Sequence, residues 1–154
     1  MNKNISQTFR PQTFSEILGQ PKISTSIIHA INNDSLGHAY LFYGQRGCGK
    51  TTISRLIARR LNCQSPKNEE PCNICKSCKQ SLANSHLNIH EIDAASNRGI
   101  EDIRSIKETL QFQVKTGQKV YIIDEVHMLT KEAFNALLKT LEEPPENTTF
   151  IFAT

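Results

Sequence analysis

The stretch from Ala39 to Thr52 constrains the fold of this chain more than any other. A short apolar run, Ala39-Tyr40-Leu41-Phe42-Tyr43, leads into Gly44-Gln45-Arg46-Gly47-Cys48-Gly49-Lys50-Thr51-Thr52, which fits G-x-x-x-x-G-K-[ST] without a mismatch. Ile53, Leu56, Ile57 and Leu61 follow at helical spacing, so strand, loop and helix come in the order the motif requires. Such a loop curls its backbone amides around phosphate oxygens, and the next helix adds unpaired N-terminal donors and the positive end of its dipole. Lys50 supplies a mobile positive charge for β- and γ-phosphates, and the Thr51 hydroxyl can ligate Mg²⁺. Gln45, Arg46, Gly47, Cys48, Gly49 and Thr52 complete the expected contacts. The competing reading, a chance glycine-rich turn, accounts for neither flank. The stretch predicts a nucleoside triphosphate site.

A second motif completes it. Lys119-Val120-Tyr121-Ile122-Ile123-Asp124-Glu125 reads as a buried strand ending in two carboxylates. Asp124 is expected to hold Mg²⁺ beside Thr51. Glu125 is the candidate to orient and deprotonate an attacking water, a role typically worth about 10²–10⁴ in rate. A solvated pair of carboxylates capping the strand is the alternative.

The remaining segments supply a frame. Pro21 opens a helix with Ile23, Ile27, Ile28 and Ile31 on its buried side, ended by Asn32-Asn33-Asp34 and Gly37. Leu87 to Ile92 alternates like a strand, and Ile100, Ile103, Ile106 and Leu110 mark a helix. Thr130 caps another helix, with Phe134, Leu137, Leu138 and Leu141 on one face and Pro144-Pro145 as its stop. A further strand starts at Thr149. Alternating strands and helices predict an α/β fold, a doubly wound parallel sheet flanked by helices. Such sheets bind ligands at the carboxyl ends of their strands, where Gly44 and Asp124 both lie.

At 154 residues the chain suits one domain. No run approaches about 18 apolar residues, so no membrane span is expected. The polar start, Met1 to Gln7, lacks the apolar core of a secretory signal, and a cytoplasmic location follows. The net charge of +3 is compatible with nucleic acid without arguing for it.

Five cysteines in such a chain suggest metal chemistry more than disulfides. Four of them, Cys63-x8-Cys72-x2-Cys75-x2-Cys78, have spacing for one tetrahedral ion within an insert over residues 63–85. Ile74 and Leu82 are its chief large apolar residues, too few to hold it by burial. A structural Zn²⁺, binding with about 10–16 kcal/mol, could. The rivals are free cysteines and an iron–sulfur cluster, although no C-x3-C-P completion follows. His86 and His90 are spare donors expected at the surface, and Cys48 stands apart as a small filler in the phosphate loop.

Together, Arg10-Pro11-Gln12-Thr13-Phe14 with Gly19-Gln20, His38 to Phe42, the phosphate loop, the cysteine insert, Asp93-Ala94-Ala95-Ser96, Asp124 to Leu129 and Phe134 to Pro145 resemble the gamma/tau family of bacterial clamp-loader subunits. These are AAA+ ATPases of DNA polymerase III, and the resemblance runs from about Thr8 through nearly the whole chain. It implies ATP-driven opening of the ring-shaped sliding clamp and its placement on primer-template DNA, in a pentamer with delta, delta-prime and further gamma/tau copies. It also implies that Arg10 and Pro11 contact the adenine and that Thr154 lies at or beside the sensor 1 position. The strand of Thr154 would then run between those carrying Gly44 and Asp124. Arg98, Arg104 and Lys139 become candidate DNA-backbone contacts. Thr8 departs from the basic residue common in the family.

By the same resemblance, residues 1–154 form an AAA+ subdomain incomplete at its C-terminal end, with a fifth strand, an arginine finger and a helical lid lying beyond Thr154. Weak ATP binding and little hydrolysis are expected of these residues alone. Two other functions fit part of the pattern. One is a helicase-type motor, since Asp124-Glu125-Val126-His127 reads D-E-x-H. The other is a non-catalytic scaffold that nucleotide merely stabilises.

Overall fold

The computed structural model describes residues 9–33, 35–112, 114 and 116–154. Thr8 and Asp34, singled out above, lie outside them. Four strands, β1 (Ala39–Phe42), β2 (Ile89–Asp93), β3 (Lys119–Asp124) and β4 (Thr148–Ala153), form one parallel sheet in the order β1-β4-β3-β2. The helices are α1 (Pro21–Asn32), α2 (Lys50–Asn62), α3 (Lys76–Leu82), α4 (Ile100–Leu110) and α5 (Lys131–Glu142).

The two central strands, β3 and β4, are near-continuous apolar runs because both of their faces are covered. Along β3 the side chains alternate between two cores. Val120 and Ile122 join Phe14, Ile31, Leu56, Ile57 and Ile151 under α1 and α2. Tyr121 and Ile123 join Ile103, Ile106, Leu137 and Phe150 under α4 and α5. Helices on both faces give the doubly wound architecture expected of the sequence. On the second face His90, Tyr121, Phe150 and Phe152 stack in a row, with ring centroids 4.8, 5.4 and 6.2 Å apart. His90 is therefore half-buried against the core rather than a surface residue, and burial holds its imidazole below the usual histidine range.

β4 lies between β1 and β3, the position the resemblance implied for the strand of Thr154. β1 is an edge strand with Leu41 63% exposed. No helix among the described residues is long and apolar enough to cross a membrane.

Three further expectations need correction. The strand predicted from Leu87 begins at Ile89, because the His86 carbonyl and ring accept from the Ile89 and Asn88 amides and fold Leu87 into a turn. On α1 the buried residues are Ser24, Ile27 and Ile31, while Ile23 is exposed; the Ser24 hydroxyl is satisfied by the Gln20 carbonyl at 3.2 Å. On α5 the buried face is Ala133, Leu137 and Thr140, leaving Phe134 43% and Leu138 39% exposed. The Thr130 cap, whose hydroxyl accepts from the Ala133 amide at 3.2 Å, is as expected.

The adjacent leucines of α5 test this facing. Leu137→Ala is expected to cost about 2–5 kcal/mol and Leu138→Ala no more than about 0.5 kcal/mol, read as shifts in urea midpoint. Equal losses would contradict it.

Candidate functional site

Parallel register brings the strand ends to one edge, with Phe42 opposite Ala153 and Asp93 opposite Asp124. The phosphate loop leaves β1 there and is stitched to the end of β4. Thr154 donates its amide to Phe42 at 3.0 Å and accepts the Gly44 amide at 3.3 Å. Gly47 and Gly49 turn the loop at φ 85° and 95°, a region that residues with side chains rarely adopt, and Gly49 is the N-cap of α2. Lys50 Nζ donates to the Gly44 carbonyl at 2.7 Å and the Gln45 carbonyl at 2.9 Å, drawing the loop into a ring. Cys48 Sγ lies 4.0 Å from the same ammonium. Gln45, Arg46 and Gly47 face solvent, while Thr52 is half-buried.

The two motifs meet at one bond. Thr51 Oγ1 donates to Asp124 Oδ2 at 2.6 Å, a short charge-assisted contact across 73 residues. Asp124 Oδ1 accepts the Glu125 amide at 2.9 Å. Glu125 itself takes a left-handed backbone, φ 52° and ψ 42°, and so leaves the line of β3. Such a conformation costs a non-glycine residue of order 1–3 kcal/mol and is concentrated at functional sites.

His127, in the 3-10 turn Val126–Met128, was only the last letter of D-E-x-H in the sequence. Its Nδ1 is 2.8 Å from Thr154 Oγ1 and its Nε2 is 3.5 Å from Glu125 Oε2. A depression of about 480 Å³ opens beside these groups, lined by Arg46, Asp93, Asp124, Glu125 and His127.

Arg10 approaches from the N-terminal arm. Burial pulls its guanidinium below the usual arginine value, the Arg55 charge adds to that, and Glu91 and Asp124 oppose it. Its buried Nη1 has no hydrogen-bond partner among the described residues. Pro11 is half-buried beside it. Of the three basic residues expected at DNA, Arg98 donates to the Met128 carbonyl at 3.4 Å, Arg104 pairs with Glu101, and all three, Lys139 included, are exposed.

The cysteine spacing also closes in space. The Sγ atoms of Cys63, Cys72, Cys75 and Cys78 all lie within 4.8 Å of one another. Successive amides donate to them, Cys72 to Cys63 at 3.3 Å, Cys75 to Cys72 at 3.3 Å and Cys78 to Cys75 at 3.4 Å. Four convergent soft donors with amide support fit a structural zinc ion. His86 and His90 stand outside the cluster; the His86 ring meets the Ser77 hydroxyl at 2.8 Å. The Ser65 hydroxyl and the amides of Ile74 and Cys75 pull the Cys72 thiol down to about 5. Burial pushes Cys75 up, but the Cys78 and Gln64 amides outweigh it and the net direction is down. Burial pushes Cys63 and Cys78 up.

A family model described as "DNA polymerase III, delta subunit" matches residues 19–154. The chain belongs to this DNA polymerase III family. Its likeness within the family is to gamma/tau subunits. It is 48% identical over 149 residues to the DNA polymerase III subunit tau of Bacillus subtilis, covering 96% of this chain and 26% of that protein. It is 44% identical over 151 residues to the corresponding Escherichia coli subunit, covering 97% of this chain and 24% of that one. The chain thus spans about a quarter of the length of these relatives.

Among solved structures, a DNA polymerase III gamma subunit-related protein from Thermotoga maritima aligns with a TM-score of 0.53 and 24% identity, over 84% of this chain and 38% of that one. The RuvB Holliday junction branch migration motor of the same organism aligns with a TM-score of 0.58 and 22% identity, over 94% and 41%. Both likenesses concern the fold.

In this polymerase III family member, His127 carried no sequence signal beyond the last letter of D-E-x-H, because its approaches to Thr154 and Glu125 are side-chain contacts that no periodicity announces.

Proposed function

We propose that this chain is the nucleotide-binding part of a clamp-loader ATPase, working in the cytoplasm with delta, delta-prime and further gamma/tau subunits to load the sliding clamp on primer-template DNA. The observation that carries the reading is the 2.6 Å contact between Thr51 and Asp124, with Glu125 next in the chain.

The loop from Gly44 to Thr52 binds the triphosphate, and Lys50 exchanges its two carbonyl partners for β- and γ-phosphate oxygens. Thr51 and Asp124 would hold Mg²⁺, which when bound neutralises charge on those oxygens. Glu125 takes a proton as the water oxygen bonds to the γ-phosphorus and the bond to the ADP oxygen breaks. His127 keeps the Glu125 carboxylate and the Thr154 hydroxyl in mutual register. Arg10 and Pro11 of the arm contact the adenine, with the Arg10 Nη1, which has no partner among the described residues, as a donor to the nucleotide. Cys63, Cys72, Cys75 and Cys78 would hold a structural Zn²⁺. Arg98, Arg104 and Lys139 stay candidates for DNA phosphates, with Arg104 having first to release Glu101.

A scaffold that merely binds nucleotide has no use for a carboxylate in a strained backbone at the strand end, so the geometry favours hydrolysis. In the full-length subunit within its assembly, Glu125→Gln should lower ATP turnover by about 10²–10⁴, with Mg-ATP affinity changed less than about threefold. Turnover and clamp loading that survive the substitution would support the scaffold.

A further inference from the structure

The N-terminal arm is tied to the cysteine module by side chains flanking the metal ligands. Glu70, two residues before Cys72, reaches two consecutive backbone amides with one carboxylate: Oε2 accepts from Phe14 at 2.7 Å and Oε1 from Ser15 at 2.8 Å. Asn73, the residue after Cys72, holds a left-handed backbone at φ 58° and donates Nδ2 to the Gln12 carbonyl at 3.0 Å. Buried Arg59 of α2 joins both parts, donating to Gln12 Oε1 at 2.8 Å and Asn73 Oδ1 at 3.0 Å. The Gln12 side chain in turn donates to the Arg10 carbonyl at 2.9 Å. These bonds run without a gap from the cysteine cluster to Arg10.

The arm has one deep anchor, Phe14, 2% exposed in the core beneath α1 and α2. Residues 9–12 ahead of it lack a comparable apolar anchor, since Phe9 is exposed. The module cannot hold its own shape by burial, so the positions of Glu70 and Asn73 depend on what joins the four thiols. At the far end, the Arg10 guanidinium keeps a buried Nη1 that has no hydrogen-bond partner among the described residues.

We infer that the cysteine module is a clamp for the N-terminal arm: with metal bound, Glu70 and Asn73 are positioning residues that hold the arm, and with it Arg10, in place for the nucleotide, and metal loss weakens nucleotide binding. The inference rests on the strand-end site being a nucleotide site. It gives the module a task at that site, through the chain's own backbone and over a path that never touches the phosphate loop.

The test uses the full-length subunit and two readouts, amide hydrogen exchange at Phe14 and Ser15 and Mg-ATP affinity by calorimetry. Glu70→Ala should leave zinc content at about one per chain, speed exchange at both amides, and weaken Mg-ATP about five- to tenfold. Glu70→Gln, which keeps one acceptor, should fall between. Removing zinc with a chelator should reproduce the Glu70→Ala effect. Adding Glu70→Ala to Arg10→Ala should weaken binding no further than Arg10→Ala alone, since both act through one guanidinium. Unchanged affinity in Glu70→Ala despite faster exchange would overturn the inference, and so would full amide protection after zinc removal. Wild-type protein that binds no Mg-ATP would overturn the underlying reading of the site instead, and exchange would still report whether the module orders the arm.

Discussion

The contact between Thr51 and Asp124 is the constraint on which the rest of this structure depends. One partner opens α2 and the other ends β3, so the bond forms only if helix and strand are held in register at the carboxyl edge of the sheet. The rest of the fold supplies that register. β4 is inserted between β1 and β3, Thr154 fastens the phosphate loop to its end, and apolar cores on both sheet faces keep the strands from sliding. A slip of one residue along β3 would exchange Ile122 for Tyr121 across the sheet and take Asp124 away from Thr51.

Two different sources of order meet in the chain. The sheet and its helices are stabilised by area: Tyr121, Phe150, Leu56, Ile57 and Leu137 are among the side chains fully removed from water. The cysteine module has no such core and is shaped by four convergent sulfurs and the amides that point at them. The N-terminal arm belongs to both, since Phe14 sits in the sheet's core while its amide and that of Ser15 end on Glu70 of the module. An element with two masters of this kind is a natural place for one part of a protein to influence another.

Much of this was legible in the sequence, and the residues explain why. The phosphate loop, Asp124 and the four cysteines are dictated by chemistry that needs particular side chains at particular spacing, so they read directly from Gly44 to Thr51, Ile122 to Glu125 and Cys63 to Cys78. Helix existence was legible because Pro21, Thr130 and Pro144 mark ends by backbone geometry. Helix facing was less so. On α5 the run Phe134-Asn135-Ala136-Leu137-Leu138 offers two overlapping stripes, and burial of Ala133 and Thr140 selects the one with smaller residues. Phe134 and Leu138 looked like core because apolarity alone cannot say which stripe a neighbour will cover. Long-range links from side chain to backbone, such as Glu70 to Phe14, leave no trace in periodicity.

The most direct test of the Thr51–Asp124 pairing substitutes Mn²⁺ for Mg²⁺ and follows it by electron paramagnetic resonance in the presence of ATP. The account predicts one tightly bound Mn²⁺ per chain that appears only with ATP and is lost in both Thr51→Val and Asp124→Asn. An unchanged ATP-dependent manganese signal in Asp124→Asn would mean that the acidic strand end and the phosphate loop do not share an ion.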